Sequence, residues 1–233
     1  ILNITSDHIE RHKSLNNYVD AKFKLLKSQN KGSFAYIKKD DELITKKIKK
    51  NKYKAKIYKV QTSNLNKKFD KITNKYFISD GNKENLLFIF KIASKLKLNK
   101  KKLIRTINRF KGLDYRQQII FDKKNLTIIN DSKSTSFASS ESVLKNLNGA
   151  YWILGGIPKK GDKFKLSKTK CKNLKAFIFG SHSKKFLKIL KNKLKVKSFK
   201  NMQETLKVVF SEIRIQKSEK DIIFFSPAGA SFD

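Results

Sequence analysis

Sulfur is scarce in this chain, whose 233 residues include one cysteine, Cys171, and one methionine, Met202. A lone cysteine excludes a disulfide within the chain and a multi-cysteine metal site, and fits a reducing compartment. No run is long and apolar enough to span a membrane, none reads as a signal peptide, and no internal repeat is apparent. The pattern Gly-x-x-Gly-Lys-[Ser/Thr] is missing too, and with it the backbone cradle and lysine that hold a nucleoside triphosphate. Acidic residues are also few, 19 Asp plus Glu against 55 Lys plus Arg, for a net charge of +36.

That charge invites a polyanion partner. The lysines, however, run along nearly the whole chain among abundant Asn, Ile and Phe. The aromatics fall in strand-like and helix-like segments, not between basic residues on one exposed face. The excess charge is therefore read as a means of solubility and of attracting small anionic ligands, and a basic nucleic-acid-binding module is kept only as the rival from another class.

The most informative segment is Ile129-Asn130-Asp131-Ser132-Lys133-Ser134-Thr135. The apolar run Leu126 to Ile129 reads as a buried parallel strand. Asp131 and Lys133 fall at its carboxyl end, where open α/β sheets place ligands, and Ser134, Thr135 or Ser136 can cap the following helix. Taken alone, Asn-Asp-Ser would serve equally as a plain turn. The strand-then-turn pattern recurs at Tyr151 to Leu154 before Gly155-Gly156, at Lys175 to Phe179 before Gly180-Ser181, and at Ile222 to Phe225 before Ser226-Pro227-Ala228-Gly229-Ala230-Ser231. Helical spacing fills the gaps at Phe137 to Leu147, Lys184 to Leu190 and Met202 to Ile213. Residues 112–233 thus read as one doubly wound α/β domain with a mainly parallel sheet.

Upstream, Ile1 to Ile4, Phe34 to Ile37, Lys56 to Val60 and Tyr76 to Ser79 read as strands. Ser14 to Leu26, Asn85 to Leu96 and Lys101 to Phe110 read as helices. Lys111-Gly112 is a helix stop and the expected boundary between domains 1–111 and 112–233. Because the sequence opens inside a strand-like run and closes at Asp233 after a glycine-containing turn, it is expected to be a piece of a longer protein.

Seven blocks together resemble one family. They are residues 3–12 (Asn-Ile-Thr-Ser-Asp-His-Ile-Glu-Arg-His), 18–22 (Tyr-Val-Asp-Ala-Lys), 81–85 (Gly-Asn-Lys-Glu-Asn), 112–116 (Gly-Leu-Asp-Tyr-Arg), 130–135 (Asn-Asp-Ser-Lys-Ser-Thr), 154–162 (Leu-Gly-Gly-Ile-Pro-Lys-Lys-Gly-Asp) and 226–233 (Ser-Pro-Ala-Gly-Ala-Ser-Phe-Asp). The chain is similar to the bacterial Mur ligases, and the fifth and last blocks resemble the D-glutamate-adding branch. The resemblance implies the carboxyl-terminal part of a central ATPase domain, followed by a Rossmann-like glutamate-binding domain that ends short.

It further implies an ATP-dependent, cytoplasmic, monomeric ligase of peptidoglycan precursor synthesis. Such an enzyme joins D-glutamate to UDP-N-acetylmuramoyl-L-alanine through an acyl phosphate, without nucleic acid or membrane insertion. Another Mur-type ligase or a folylpolyglutamate-type ligase is the alternative among enzymes. All the reacting species are anionic, so cations and Mg2+ must gather them. By resemblance His8 and Lys22 are the catalytic and metal-binding pair, with Lys22 carbamylated so that it offers oxygen to a hard cation. Asn82 and Asn85 lie toward adenine, Arg116 and Asp131 toward ribose, and Lys133 toward the phosphates. Thr135, Lys159, Ser231 and Phe232 hold D-glutamate, the last through its backbone. The residues alone leave Asn85 and Ser231 open as helix caps, while the 226–231 turn offers backbone N–H groups to an anion. Three positions depart from the family pattern: Tyr115 stands for histidine, Ile157 for an acid and Gly229 for a residue that is often cysteine. Without a phosphate loop, the 233 residues alone are expected to be inactive.

Overall fold

The computed structural model describes residues 1–4, 9–63, 69–216 and 220–230. Two compact units emerge, Ile1–Thr73 with Gly81–Arg109, and Asn74–Asp80 with Phe110–Asp233, so that residues 74–80 group with the second unit.

In the first unit, strands β1 (Phe34–Lys38) and β2 (Lys56–Val60) pair in parallel, Tyr36 opposite Tyr58. The short helix α1 (Ile9–His12) precedes α2 (Leu15–Lys27), whose N-cap Ser14 accepts the Asn17 N–H at 3.1 Å. Val19, Phe23 and Leu26, at helical spacing on α2, are buried with Ala35 and Ile37 of β1. A helix not anticipated from sequence, α3 (Glu42–Lys49), is capped by Asp41, whose Oδ1 accepts the Ile44 N–H at 3.0 Å. Helices α4 (Asp80–Lys95) and α5 (Lys100–Arg109) follow.

Two expected strands are corrected. Ile1 to Ile4 forms no ladder strand: the Ile1 N–H donates to Tyr36 O at 2.7 Å and Ile1 O accepts from Lys38, but the Ile4 N–H is drawn away to the Asp41 carboxylate at 3.0 Å. Tyr76 to Ser79 lies in a 3-10 turn, Lys75–Ile78. There the Asn74 side chain accepts the Tyr76 N–H at 3.0 Å, and the Tyr76 ring meets Phe77 and Phe110 edge-on, each at 5.2 Å. A local cap and aromatic packing outweigh the β propensity of the segment.

The second unit carries a six-stranded sheet among the described residues, in the order β3-β4-β8-β5-β6-β7. Its strands are β3 (Gln118–Lys123), β4 (Leu126–Asn130), β5 (Ala150–Gly155), β6 (Leu174–Phe179), β7 (Lys195–Phe199) and β8 (Asp221–Phe225). Only β3 runs antiparallel, as a hairpin with β4; the other pairings are parallel. Every residue of β5 is buried, as expected of a parallel strand covered on both faces. Trp152 and Leu154 join the core formed with α6 (Phe137–Leu144), α7 (Lys168–Cys171) and α8 (Ser183–Leu190). Tyr151 and Ile153 point the other way, to Val209 of α9 (Met202–Gln216). The period-2 alternation of one strand thus feeds two helical layers, and the doubly wound, mainly parallel architecture read from the sequence is present.

Candidate active site

The parallel strands bring three segments together at their carboxyl ends. The β4 ladder continues through the Asp131 N–H, which donates to Phe225 O of β8 at 2.8 Å, while the Ser226 N–H donates to Ile153 O of β5 at 3.0 Å. The turn 131–136, the 226–230 segment and the loop after β5 therefore converge. Ala228 N–H donates to Ser134 O at 3.0 Å, and Ile157 and Ala230 exchange two backbone hydrogen bonds of 2.9 Å each. Gly156 makes this contact possible: its φ is +91°, and a Cβ there would lie 2.3 Å from Ala230 O.

Asp131 is 5% exposed. Its Oδ1 accepts the Gln117 N–H at 3.1 Å, and Ser226 Oγ stands 3.5 Å from Oδ2. Burial raises its carboxyl to about 7, against the downward pull of the Gln117 N–H, the Arg116 charge and the Ser226 hydroxyl. The Lys133 N–H donates to Tyr115 O at 3.1 Å, so the 115–117 segment is tied to the β4 turn at both ends. Tyr115 and Gln117 take left-handed φ values of 63° and 51°, and Arg116 between them is exposed. Non-glycine residues keep such angles only where neighbours over-determine them, which here are the two hydrogen bonds.

Of the sequence-identified residues, Arg116, Asp131, Lys133 and Thr135 gather around this turn, with Lys133 exposed and Thr135 half-buried. Lys159 is half-buried in the loop after β5, and that loop is anchored where Asp162 Oδ2 accepts the Phe137 N–H at the start of α6, at 2.7 Å. In the first unit, Asn82 is buried in the first turn of α4, and Asn85 lies one turn further in, which removes the cap reading for Asn85. Lys22 is half-buried on α2, its Nζ 5.0 Å from the Tyr18 ring centroid. His8, Ser231 and Phe232 lie outside the described residues.

The expectation that the 226–231 turn offers its N–H groups to a ligand is corrected for Ser226, Ala228 and Ala230, which donate inside the protein as above; Pro227 has none to offer. Among the described residues no group of three His, Cys, Asp or Glu side chains could hold a metal ion. The exposed cations Arg116 and Lys133, set at strand ends, do suit a phosphate-bearing ligand.

The sequence reading passed over Gln117, Ser140 and Glu141. The left-handed backbone at Gln117 has no glycine to announce it. Ser140 (0% exposed) and Glu141 (9%) sit in a helix where one polar residue resembles the next until the packing is known.

Residues 1–101 match the Mur ligase middle domain. That match covers 101 of the 233 residues, and over its full length the chain is similar to ligases of the Mur family. Among them it is similar to the UDP-N-acetylmuramoylalanine–D-glutamate ligase of Rickettsia prowazekii (strain Madrid E), 28% identical over 100% of this chain and 56% of that protein. Its similarity to the enzyme of the same name from Wolbachia sp. subsp. Brugia malayi (strain TRS) is 30% identity over 100% of this chain and 49% of that protein. The chain spans about half the length of these curated relatives. Its fold matches MurF from Acinetobacter baumannii with a TM-score of 0.71 at 16% identity, over 98% of this chain and 56% of that one. It also matches MurF ligase from Thermotoga maritima in complex with ADP, with a TM-score of 0.68 at 13% identity, over 97% and 57%. No helix among the described residues is long and apolar enough to cross a membrane.

Proposed function

We propose that this chain carries the adenine-nucleotide and amino-acid subsites of a ligase that joins D-glutamate to UDP-N-acetylmuramoyl-L-alanine in the cytoplasm. Residues 1–111 are the carboxyl-terminal part of its central ATPase domain, and residues 112–233 its glutamate-binding domain. The observation that carries this reading is the convergence of the 131–136 turn, the loop of Lys159 and the 226–230 segment at the carboxyl ends of β4, β5 and β8, in a chain similar over its full length to D-glutamate ligases.

Each residue has a physical task. Lys133 offers a point charge to phosphates, and Arg116, strapped beside buried Asp131, a rigid fork near the ribose. Lys159 pairs with a carboxylate of D-glutamate while Thr135 donates a hydroxyl, which holds the amine in reach of the activated carbonyl. Asn82 and Asn85 face the adenine. ATP supplies the phosphoryl group that turns the substrate carboxylate into an acyl phosphate, and Mg2+ would screen the charges. By resemblance, His8 and carbamylated Lys22 would hold that ion.

The test is titration of the purified chain, by NMR, with ADP, D-glutamate, L-glutamate and other D-amino acids. D-glutamate should bind selectively, with Lys159→Ala weakening it and Lys133→Ala weakening ADP. Equal response to all the amino acids would overturn the D-glutamate assignment. Steeply salt-dependent DNA binding indifferent to Lys133 and Asp131 would favour a nucleic-acid module instead. Lacking a phosphate loop, the 233 residues alone should release no phosphate from ATP with the UDP-linked substrate and D-glutamate. Turnover by this chain alone would refute that part of the reading.

A further inference from the structure

Helix α6 touches all three segments of the site. Its Ser140, fully buried, sits with Oγ 2.7 Å from Ser226 Oγ and 3.1 Å from Ser134 Oγ. The same Ser226 receives the Trp152 indole N–H on its carbonyl at 2.9 Å. The next residue, Glu141, turns about 100° around the helix to the loop after β5, where its Oε1 accepts the backbone N–H groups of Lys165 and, at 3.3 Å, Leu166. That loop is tied a second time where Lys193 Nζ donates to Phe164 O at 2.6 Å and Leu166 O at 3.2 Å.

We propose that Ser140 and Glu141 are positioning residues for the amino-acid subsite. Ser140 registers the 226–230 segment, and Glu141 registers the loop of Lys159, against the turn that carries Lys133 and Thr135. The ligand class they serve is a small amino acid with a side-chain carboxylate, and the inference rests on the ligase reading above. Three buried hydroxyls bonded to one another add little net stability over an apolar cluster of the same shape. Their value is directional: each hydroxyl has few partners, so the backbone segments bearing them can meet in few ways. The nucleotide side touches the same network through Ser226 Oγ, 3.5 Å from Asp131 Oδ2, but depends on it less, because the Gln117 and Lys133 N–H bonds hold the 115–117 segment in addition.

Amide hydrogen exchange and NMR titration of the full chain test this. Ser140→Ala should speed exchange of the Ala228 and Ala230 N–H groups about tenfold or more, and Glu141→Ala that of Lys165 and Leu166, while α9 amides stay unchanged. The D-glutamate Kd should rise about tenfold in either variant with the ADP Kd constant within about twofold. Ser140→Thr and Glu141→Gln, which keep the oxygen, should restore both readouts, and exposed Ser139→Ala should change neither. Unchanged exchange at the named amides, or equal weakening of both ligands, would overturn the proposal. If the wild type binds neither ligand, the ligase reading falls and the exchange result alone decides the positioning claim. Should Ser140→Ala not fold, hydroxyl-proton exchange in the wild type decides: protons of Ser134, Ser140 and Ser226 exchanging as fast as that of Ser139 would refute the network.

Discussion

The two units handle parallel strands differently. In the second, β5 is flanked by β8 and β6, and its side chains are buried in cores on both sheet faces. In the first, β1 and β2 form the only ladder among the described residues, with Ile1 adding two backbone hydrogen bonds to β1, and Phe34, Ile89, Ile92, Leu96 and Leu98 remain exposed at 40% or more. Parallel pairing is stable where helices and neighbouring strands bury it, so the second unit should be the more stable.

The largest effect that would sharpen this contrast is at Trp152, fully buried and the only tryptophan. Trp152→Phe, which also drops the indole N–H to Ser226 O, should cost the second unit about 2–4 kcal/mol by calorimetry. Wild-type Trp152 emission should report a later urea midpoint than far-ultraviolet circular dichroism, which sums both units; coincident transitions would break the comparison. Next, Gly156→Ala should destabilise the second unit by more than about 2 kcal/mol, since left-handed backbone and the Ala230 carbonyl both oppose the methyl group. An equal loss from Gly32→Ala, where φ is +90° but nothing lies within 4 Å, would show that backbone strain alone is responsible.

A pH experiment comes third. Asp131 is raised to about 7 in the fold, whereas an unfolded aspartate titrates near ~3.9. The folded state therefore binds the extra proton between those values. The associated stability is fully present below about pH 4, is lost as pH climbs toward 7, and does not change further above it. Denaturation of wild type against Asp131→Asn should show a gap that moves by a few kcal/mol, on the order of 4 at most, across that window. A flat difference would contradict the buried carboxyl. Asp122 behaves oppositely: Lys75, Thr127 and Lys220 hold its carboxyl down to about 2, so its contribution is lost only in strong acid. This exposed cluster gives the smallest effect, with Asp122→Asn costing about 0.5–1 kcal/mol and less in high salt.

Legibility in the sequence did not follow the division into units, since β1 and β2 of the first lie where the sequence predicts strands, at Phe34 to Ile37 and Lys56 to Val60. Strands β4, β5, β6 and β8 announce themselves because burial on both faces demands continuous apolar runs. The edge strands β3 and β7 do not: β3 is largely exposed, and Lys195-Val196-Lys197-Ser198-Phe199 keeps only Val196 and Phe199 half-buried. The opening run Ile1 to Ile4 and the segment Tyr76 to Ser79 misled because a tertiary partner, the Asp41 carboxylate, in the one and the local Asn74 cap in the other outweigh propensity. At the site, Asp131 and Lys133 could be read from their position after an apolar strand. Ser140, Glu141 and the left-handed Gln117 could not, since their roles exist only once distant segments meet.

The lysines that hide β7 from a reader also shield it from other chains. A sheet margin presents unpaired amide and carbonyl groups that a foreign polypeptide could extend. Lys195 is exposed along that margin, Lys197 beside it is paired with Glu212 at 2.8 Å, and on a molecule of net charge +36 any second copy approaching edge to edge meets like charge. Growth of the sheet by accretion is thereby discouraged at low ionic strength and least restrained in brine.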